Sequence, residues 1–161
     1  MPWQVLYLRP RLEKRTAELC RLNGIPHYLP LRSKTSVHQR RKVITELPIF
    51  PGYLFVALDP ARKLVLQKTN YVLRFLEPSR PWHMLRQLVQ IRRALRIDPT
   101  LRPAKLLRVG HRVRVLSGPF QGVEGVVARL ASTMRVILTV EMVGQGIAVE
   151  ARREQVEPLD S

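Results

Sequence analysis

Cysteine is almost absent from this chain of 161 residues: Cys20 stands alone. A single thiol excludes an internal disulfide and any Cys-rich zinc site. It fits a reducing cytoplasm, and its position in an apolar helical pattern gives it a packing role. Histidine is scarce as well. His27, His38, His83 and His111 show no metal-ligand spacing, so neither a metal nor another cofactor is expected. No apolar run is long enough to span a bilayer and no signal-peptide pattern is seen, so a membrane is not expected as a partner. Acid pairs, a nucleophile elbow and a metal cluster are all missing, which argues against an enzyme.

Acidic residues are also few. There are 12 Asp+Glu against 28 Lys+Arg, a net charge of +16. The excess is uneven: residues 1–100 carry net +13 and residues 101–161 only +3. Such an imbalance points to a polyanionic partner, with nucleic acid as the first candidate. The alternative is a solvated basic surface kept for solubility. Apolar residues make up 45%, enough for a packed core in one domain or two small ones.

The periodicity changes along the chain. "PWQVLYL" (2–8) is rich in β-formers and reads as a strand. From Arg11 a helical period follows, with Leu12, Leu19 and Leu22 on one side and Arg11, Lys14, Arg15, Glu18 and Arg21 on another. Gly24 and Pro26 end that helix. "HYLPLRSKTSV" (27–37) and "VITELPIF" (43–50) predict a long hairpin with the basic tip "HQRRK" (38–42). "GYLFVAL" (52–58) reads as a buried strand. Asp59-Pro60 predicts a capped helix to about Thr69. "VLRFL" (72–76) is a further strand. A last helix covers 81–95, with Met84, Leu88, Ile91 and Leu95 at helical spacing. This order, β-α-β-β-α-β plus a helix, predicts an α+β chain that begins with a ferredoxin-like α/β sandwich.

"DPTLRPAKLLR" (98–108) has no clear period and reads as a linker. Short strands follow at 112–116, 123–130, 134–142, 146–151 and near 154–157, which suggests a small closed five-stranded β-barrel. Val136, Leu138, Val140 and Met142 share one face of the third strand. Between the first two strands lies "SGPFQGVEG". Gly118, Gly122 and Gly125 supply backbone conformations that side chains resist, Pro119 fixes one φ, and Phe120 can fold over the barrel end. A phosphate-binding loop is a poor alternative, since no Gly-Lys-Ser/Thr and no helix follow.

"VGHRVRVLSGPFQGVEGVV" (109–127) resembles the KOW motif of small SH3-like barrels. "FPGYLFV" (50–56), behind a Trp-containing first strand, narrows the choice. Together they resemble the NusG family of transcription elongation factors. The resemblance implies a NusG-type domain over 1–97, a linker over 98–108 and a KOW domain over 109–161.

The resemblance further implies that the first domain docks aromatic residues on the clamp helices of RNA polymerase, disfavouring pausing and termination. Carried onto this sequence, the docking residues are Tyr7, Phe50, Tyr53 and Phe55. Aromatic anchors suit an interface centre. Alternation sends Tyr53 and Phe55 to one face and Leu54 and Val56 to the other, so at most one set need be core. Arg11, Lys14, Arg15, Arg21, Arg40, Arg41 and Lys42 would lie near the DNA non-template strand or nascent RNA, where they contribute affinity without sequence choice.

In the housekeeping factor the KOW domain recruits Rho or a small-subunit ribosomal protein through a loop carrying an aromatic residue. The corresponding tip here is Met142-Val143. That departure and the high basicity suggest a specialised paralogue, of the RfaH or LoaP kind, which antiterminates particular operons as a monomer. Some such paralogues refold the KOW domain into helices. The β-rich pattern after residue 109 predicts a stable barrel instead. A KOW-containing ribosomal RNA-binding protein is the competing reading, and the α/β unit argues against it.

Overall fold

The computed structural model describes residues 2–105, 111–130 and 133–159. The chain divides into two compact units, Met1–Pro30 with Phe50–Leu85, and Leu31–Ile49 with Arg86–Ser161.

The first unit is built on a four-stranded antiparallel sheet. Its strands are β1 (Trp3–Leu8), β2 (His27–Tyr28), β5 (Tyr53–Ala57) and β6 (Val72–Leu76), in the order β2-β5-β1-β6. α1 (Glu13–Leu22) and α2 (Pro60–Gln67) complete it. Leu6, Leu8, Leu54 and Val56 point to one side of the sheet and form a core with Cys20, Ile25, Leu58 and Leu66. α2 begins as its sequence requires: Asp59 Oδ1 accepts from the Arg62 N–H at 2.7 Å and Pro60 occupies the first turn.

α1 departs from the predicted pattern. It starts at Glu13, after Arg11 has taken φ 66°. Its buried residues are Glu13, Thr16 and Cys20, while Leu22 is 68% exposed. Leu19 packs against the core from a partly buried position, but the most buried side runs through Glu13, Thr16 and Cys20 rather than through Leu12, Leu19 and Leu22. The reason is polar: Glu13 Oε2 accepts from the Gly52 N–H at 3.0 Å, which turns the Glu13 side of the helix inward.

In the second unit, β3 (Leu31–His38) and β4 (Arg41–Pro48) form a separate two-stranded ribbon, paired from Leu31↔Pro48 to His38↔Arg41. The predicted strand over 27–37 is broken at Leu29-Pro30, where proline lacks the N–H a ladder needs. A six-stranded antiparallel sheet follows, β7 (Pro103–Lys105), β8 (Arg112–Val115), β9 (Glu124–Leu130), β10 (Thr133–Val140), β11 (Gln145–Arg152) and β12 (Val156–Pro158), ordered β12-β8-β9-β10-β11-β7. Five of these match the predicted strands. The sixth, β7, lies in the segment read as linker and pairs with Gln145–Ile147. Pro103 is tolerated there because β7 is an edge strand. Val113, Val115, Val123, Val136, Leu138, Ile147 and Val149 are buried in this unit.

α3 (Pro81–Ile97) buries Met84, Leu88, Ile91 and Leu95, the spacing its sequence predicts. In its second half, Gln90 Oε1 accepts from the Glu124 N–H at 2.9 Å and Arg93 Nη1 donates to the Gly122 carbonyl at 2.9 Å.

Candidate functional site

The strongest aromatic feature is a pair. β1 and β5 place Tyr7 opposite Tyr53, with ring centroids 5.3 Å apart. Tyr7 is 38% exposed and Tyr53 half-buried, so both rings reach the surface. The turn before β5 shapes the pair. Gly52 has φ 89°, and a Cβ there would stand 3.2 Å from the Tyr7 ring. Its N–H is held by Glu13, and its carbonyl accepts from the Leu8 N–H at 2.7 Å. Phe50 and Phe55, grouped with the tyrosines from sequence, are fully buried. Alternation does put Phe55 on the Tyr53 side, but the sheet is covered there too, since Val5 opposite Phe55 is also inaccessible. Of these four aromatics only Tyr7 and Tyr53 reach the surface, and the phenylalanines lie in the packing beneath.

The basic residues separate into groups. Arg11, Lys14 and Arg15 are exposed at and near the start of α1. Arg21 is exposed but forms a two-pronged ion pair with Glu18, with Nε–Oε2 at 2.9 Å. That pairing holds the Glu18 carboxyl below its ordinary range and raises the Arg21 guanidinium. At the ribbon tip, His38, Gln39, Arg40, Arg41 and Lys42 are all exposed. α3 adds a group that sequence reasoning missed: Arg86, Arg92, Arg93 and Arg96 are exposed, and Trp82 at its start is 80% exposed. The signal was present, because 81–97 contains no acidic residue.

The glycines of the "SGPFQGVEG" turn have two functions. Gly118 and Gly122 take φ 86° and 88°, while Gly125 has an ordinary φ. A Cβ on Gly125 would lie 2.6 Å from the Ile137 carbonyl oxygen, so this glycine allows close approach of β9 and β10. Pro119 is exposed and Phe120 half-buried. At the same end of the sheet, Glu141–Val143 form a 3-10 turn closed by Gly144 at φ 63°. Val143 is 8% exposed, which leaves only Met142 of the expected apolar tip partly open to solvent.

Among the described residues no cluster of three or more His, Cys, Asp or Glu could hold a metal ion, and no helix is long and apolar enough to cross a membrane. Cys20 is buried and burial pushes its thiol up to about 11.

These features define a two-part architecture: an α/β unit that displays an aromatic pair, followed by a β unit of SH3-like type. The chain belongs to the NusG family, whose model, described as "Transcription termination factor nusG", matches residues 1–93. It is 26% identical over 141 residues to the "Transcription termination/antitermination protein NusG" of Lactococcus lactis subsp. lactis (strain IL1403), across 80% of this chain and 71% of that protein. The solved structure described as "Domain interaction in Thermotoga maritima NusG" superposes with a TM-score of 0.53 at 19% identity, covering 99% of this chain and 97% of that one. A chain of the MjSpt4:Spt5 complex matches at a TM-score of 0.30 and 15% identity, with 99% and 97% of the two chains covered.

Proposed function

We propose that this chain is a transcription elongation and antitermination factor that docks on the clamp helices of RNA polymerase through Tyr7 and Tyr53. The surface-reaching Tyr7–Tyr53 pair, its rings in tilted contact, in a member of the NusG family carries this reading. Two rings with polar ends offer a large contact area at little cost in side-chain entropy. Phe50 and Phe55 support them from within. Arg11, Lys14, Arg15, Arg40, Arg41 and Lys42 then contact the phosphates of the non-template DNA strand or nascent RNA. The organisation is 1–97 for polymerase and 109–161 for a second partner, with 98–108 between them. Met142 is the residue available to that partner, a ribosomal protein or Rho. Action at particular operons follows from the basic surface and the altered tip. The charge, the family and the lone buried thiol favour a cytoplasmic site of action.

The test is retention on immobilised core RNA polymerase. Tyr7→Ala with Tyr53→Ala is expected to cost about 2 kcal/mol or more of binding, with an unchanged circular dichroism spectrum. A folded double variant that bound as well as wild type would refute the docking surface.

A further inference from the structure

We propose that the tip of the β3–β4 ribbon reads base edges in the major groove of duplex DNA, with Gln39 and Arg40 as the reading side chains. The proposal rests on the reading above that the basic tip binds nucleic acid, but it assigns the tip duplex DNA in place of a single strand and goes beyond phosphate binding to sequence choice.

The backbone supplies the first observation. Gln39 has φ 48° and Arg40 φ 65°. Positive φ at both central residues of a two-residue hairpin loop is the pattern of a type I′ turn, which Asn-Gly, Asp-Gly and Gly-Gly adopt at least cost. Here two long side chains hold it. They contribute nothing visible to the folded chain: both are exposed, and neither takes part in any described hydrogen bond or ion pair. A left-handed backbone kept at two residues without internal partners points to a use outside the chain.

The chemistry of the pair supplies the second. A glutamine amide can pair bidentately with adenine N6/N7, and an arginine guanidinium with guanine O6/N7. The residues behind them suit a groove wall. His38 and Arg41 face each other directly below the tip, and Lys34 lies on the same ribbon face four pairs further back. No acidic residue occurs between Leu31 and Thr45. The other face carries Val37 and Ile44, each about 70% exposed, beside Lys42. The side with Lys34, His38 and Arg41 is therefore the one suited to phosphates. A two-stranded β-ribbon fits the major groove of B-form DNA, whereas the A-form groove of duplex RNA is too narrow for side chains to read. Single strands are gripped by aromatic stacking, and residues 31–48 contain no Phe, Tyr or Trp.

The experiment uses the full chain and repeated rounds of selection from random-sequence pools. The pools are duplex DNA, single-stranded DNA and RNA. Wild type is expected to enrich a motif from the duplex pool. The variant Gln39→Asn with Arg40→Gly, which suits a type I′ turn, should keep or raise Tm. It should lose on the order of tenfold or more of the preference for the enriched duplex over unselected duplex, as expected when a bidentate base pairing is removed. A motif enriched equally by both proteins, enrichment only from a single-stranded or RNA pool, or no enrichment by wild type would overturn the proposal. The underlying reading fails separately: Arg40→Ser, Arg41→Ser and Lys42→Ser would then leave affinity for the unselected duplex pool, and its salt dependence, unchanged.

Discussion

Gly122 and Gly125 stand three residues apart and resist substitution for different reasons. At Gly122, φ 88° is the obstacle, so Gly122→Val should destabilise the β unit by roughly 1–3 kcal/mol through backbone strain. At Gly125, the obstacle is the Ile137 carbonyl, 2.6 Å from any added Cβ. Gly125→Ala should therefore destabilise although alanine tolerates that φ. Substituting Asn, which accepts positive φ better than Val, separates the cases in thermal melts: tolerated at Gly122, severe at Gly125. Equal losses from Gly122→Asn and Gly122→Val would refute the φ argument. Cys20 offers a residue-scale test in pH. Its ordinary value is 9.0 and burial raises it to about 11. The folded chain thus holds its proton where the unfolded chain releases it. The stabilisation is complete below pH 9.0 and is lost as pH rises through about 11, and Cys20→Ala should flatten that part of the stability curve. Modification by a thiol reagent at neutral pH should be slow in the native chain and fast once it unfolds.

On the scale of elements, the β4–β5 turn links a buried carboxylate to an exposed aromatic pair. Glu13 satisfies the Gly52 N–H, and Gly52 lies against the Tyr7 ring. Gly52→Ala should push Tyr7 off Tyr53 and weaken polymerase binding without touching either tyrosine. Glu13→Ala leaves a buried N–H without its acceptor and should cost about 1–3 kcal/mol of stability. Glu13→Gln, which keeps an acceptor oxygen, should lose less. A Gly52→Ala variant with wild-type polymerase affinity would show that the turn does not position the pair. Elements with a strong local signal are legible in the sequence: the Asp59-Pro60 start of α2, "VLRFL" as β6, and the spacing of Met84, Leu88, Ile91 and Leu95 on α3. What escapes depends on distant partners. The sequence near Glu13 does not reveal that Gly52, 39 positions on, needs an acceptor, so the leucine pattern alone orients α1 wrongly. Phe55 alternates like an exposed residue, and only the covering of its face buries it. Tyr7 and Tyr53 enter the sequence reading through the resemblance to the NusG family, and that their rings meet depends on the register of β1 against β5, which the sequence does not show.

For the whole molecule, the aromatic dock and the basic surface should separate by salt. Net charge is +13 over residues 1–100 and +3 beyond. Binding to polymerase alone should change little with ionic strength. Binding to elongation complexes should fall with log salt, and removing each phosphate-binding cation among Arg40, Arg41 and Lys42 should reduce that slope by about 0.7–0.9. A titration in which wild type and the triple Ser variant fall in parallel would remove the ribbon tip from the nucleic-acid surface. The three-residue strand β7 has a different consequence for the molecule. Pro103–Lys105 covers the backbone of Gln145–Ile147, so this short stretch shields the outer strand of the second sheet. Cutting the chain after it leaves a row of unsatisfied amides and carbonyls, a template for another copy to add on. A fragment starting at residue 109 should self-associate with rising concentration, whereas one starting at 101 should stay monomeric in sedimentation runs. The few residues that look like mere connection are then what keeps neighbouring molecules apart.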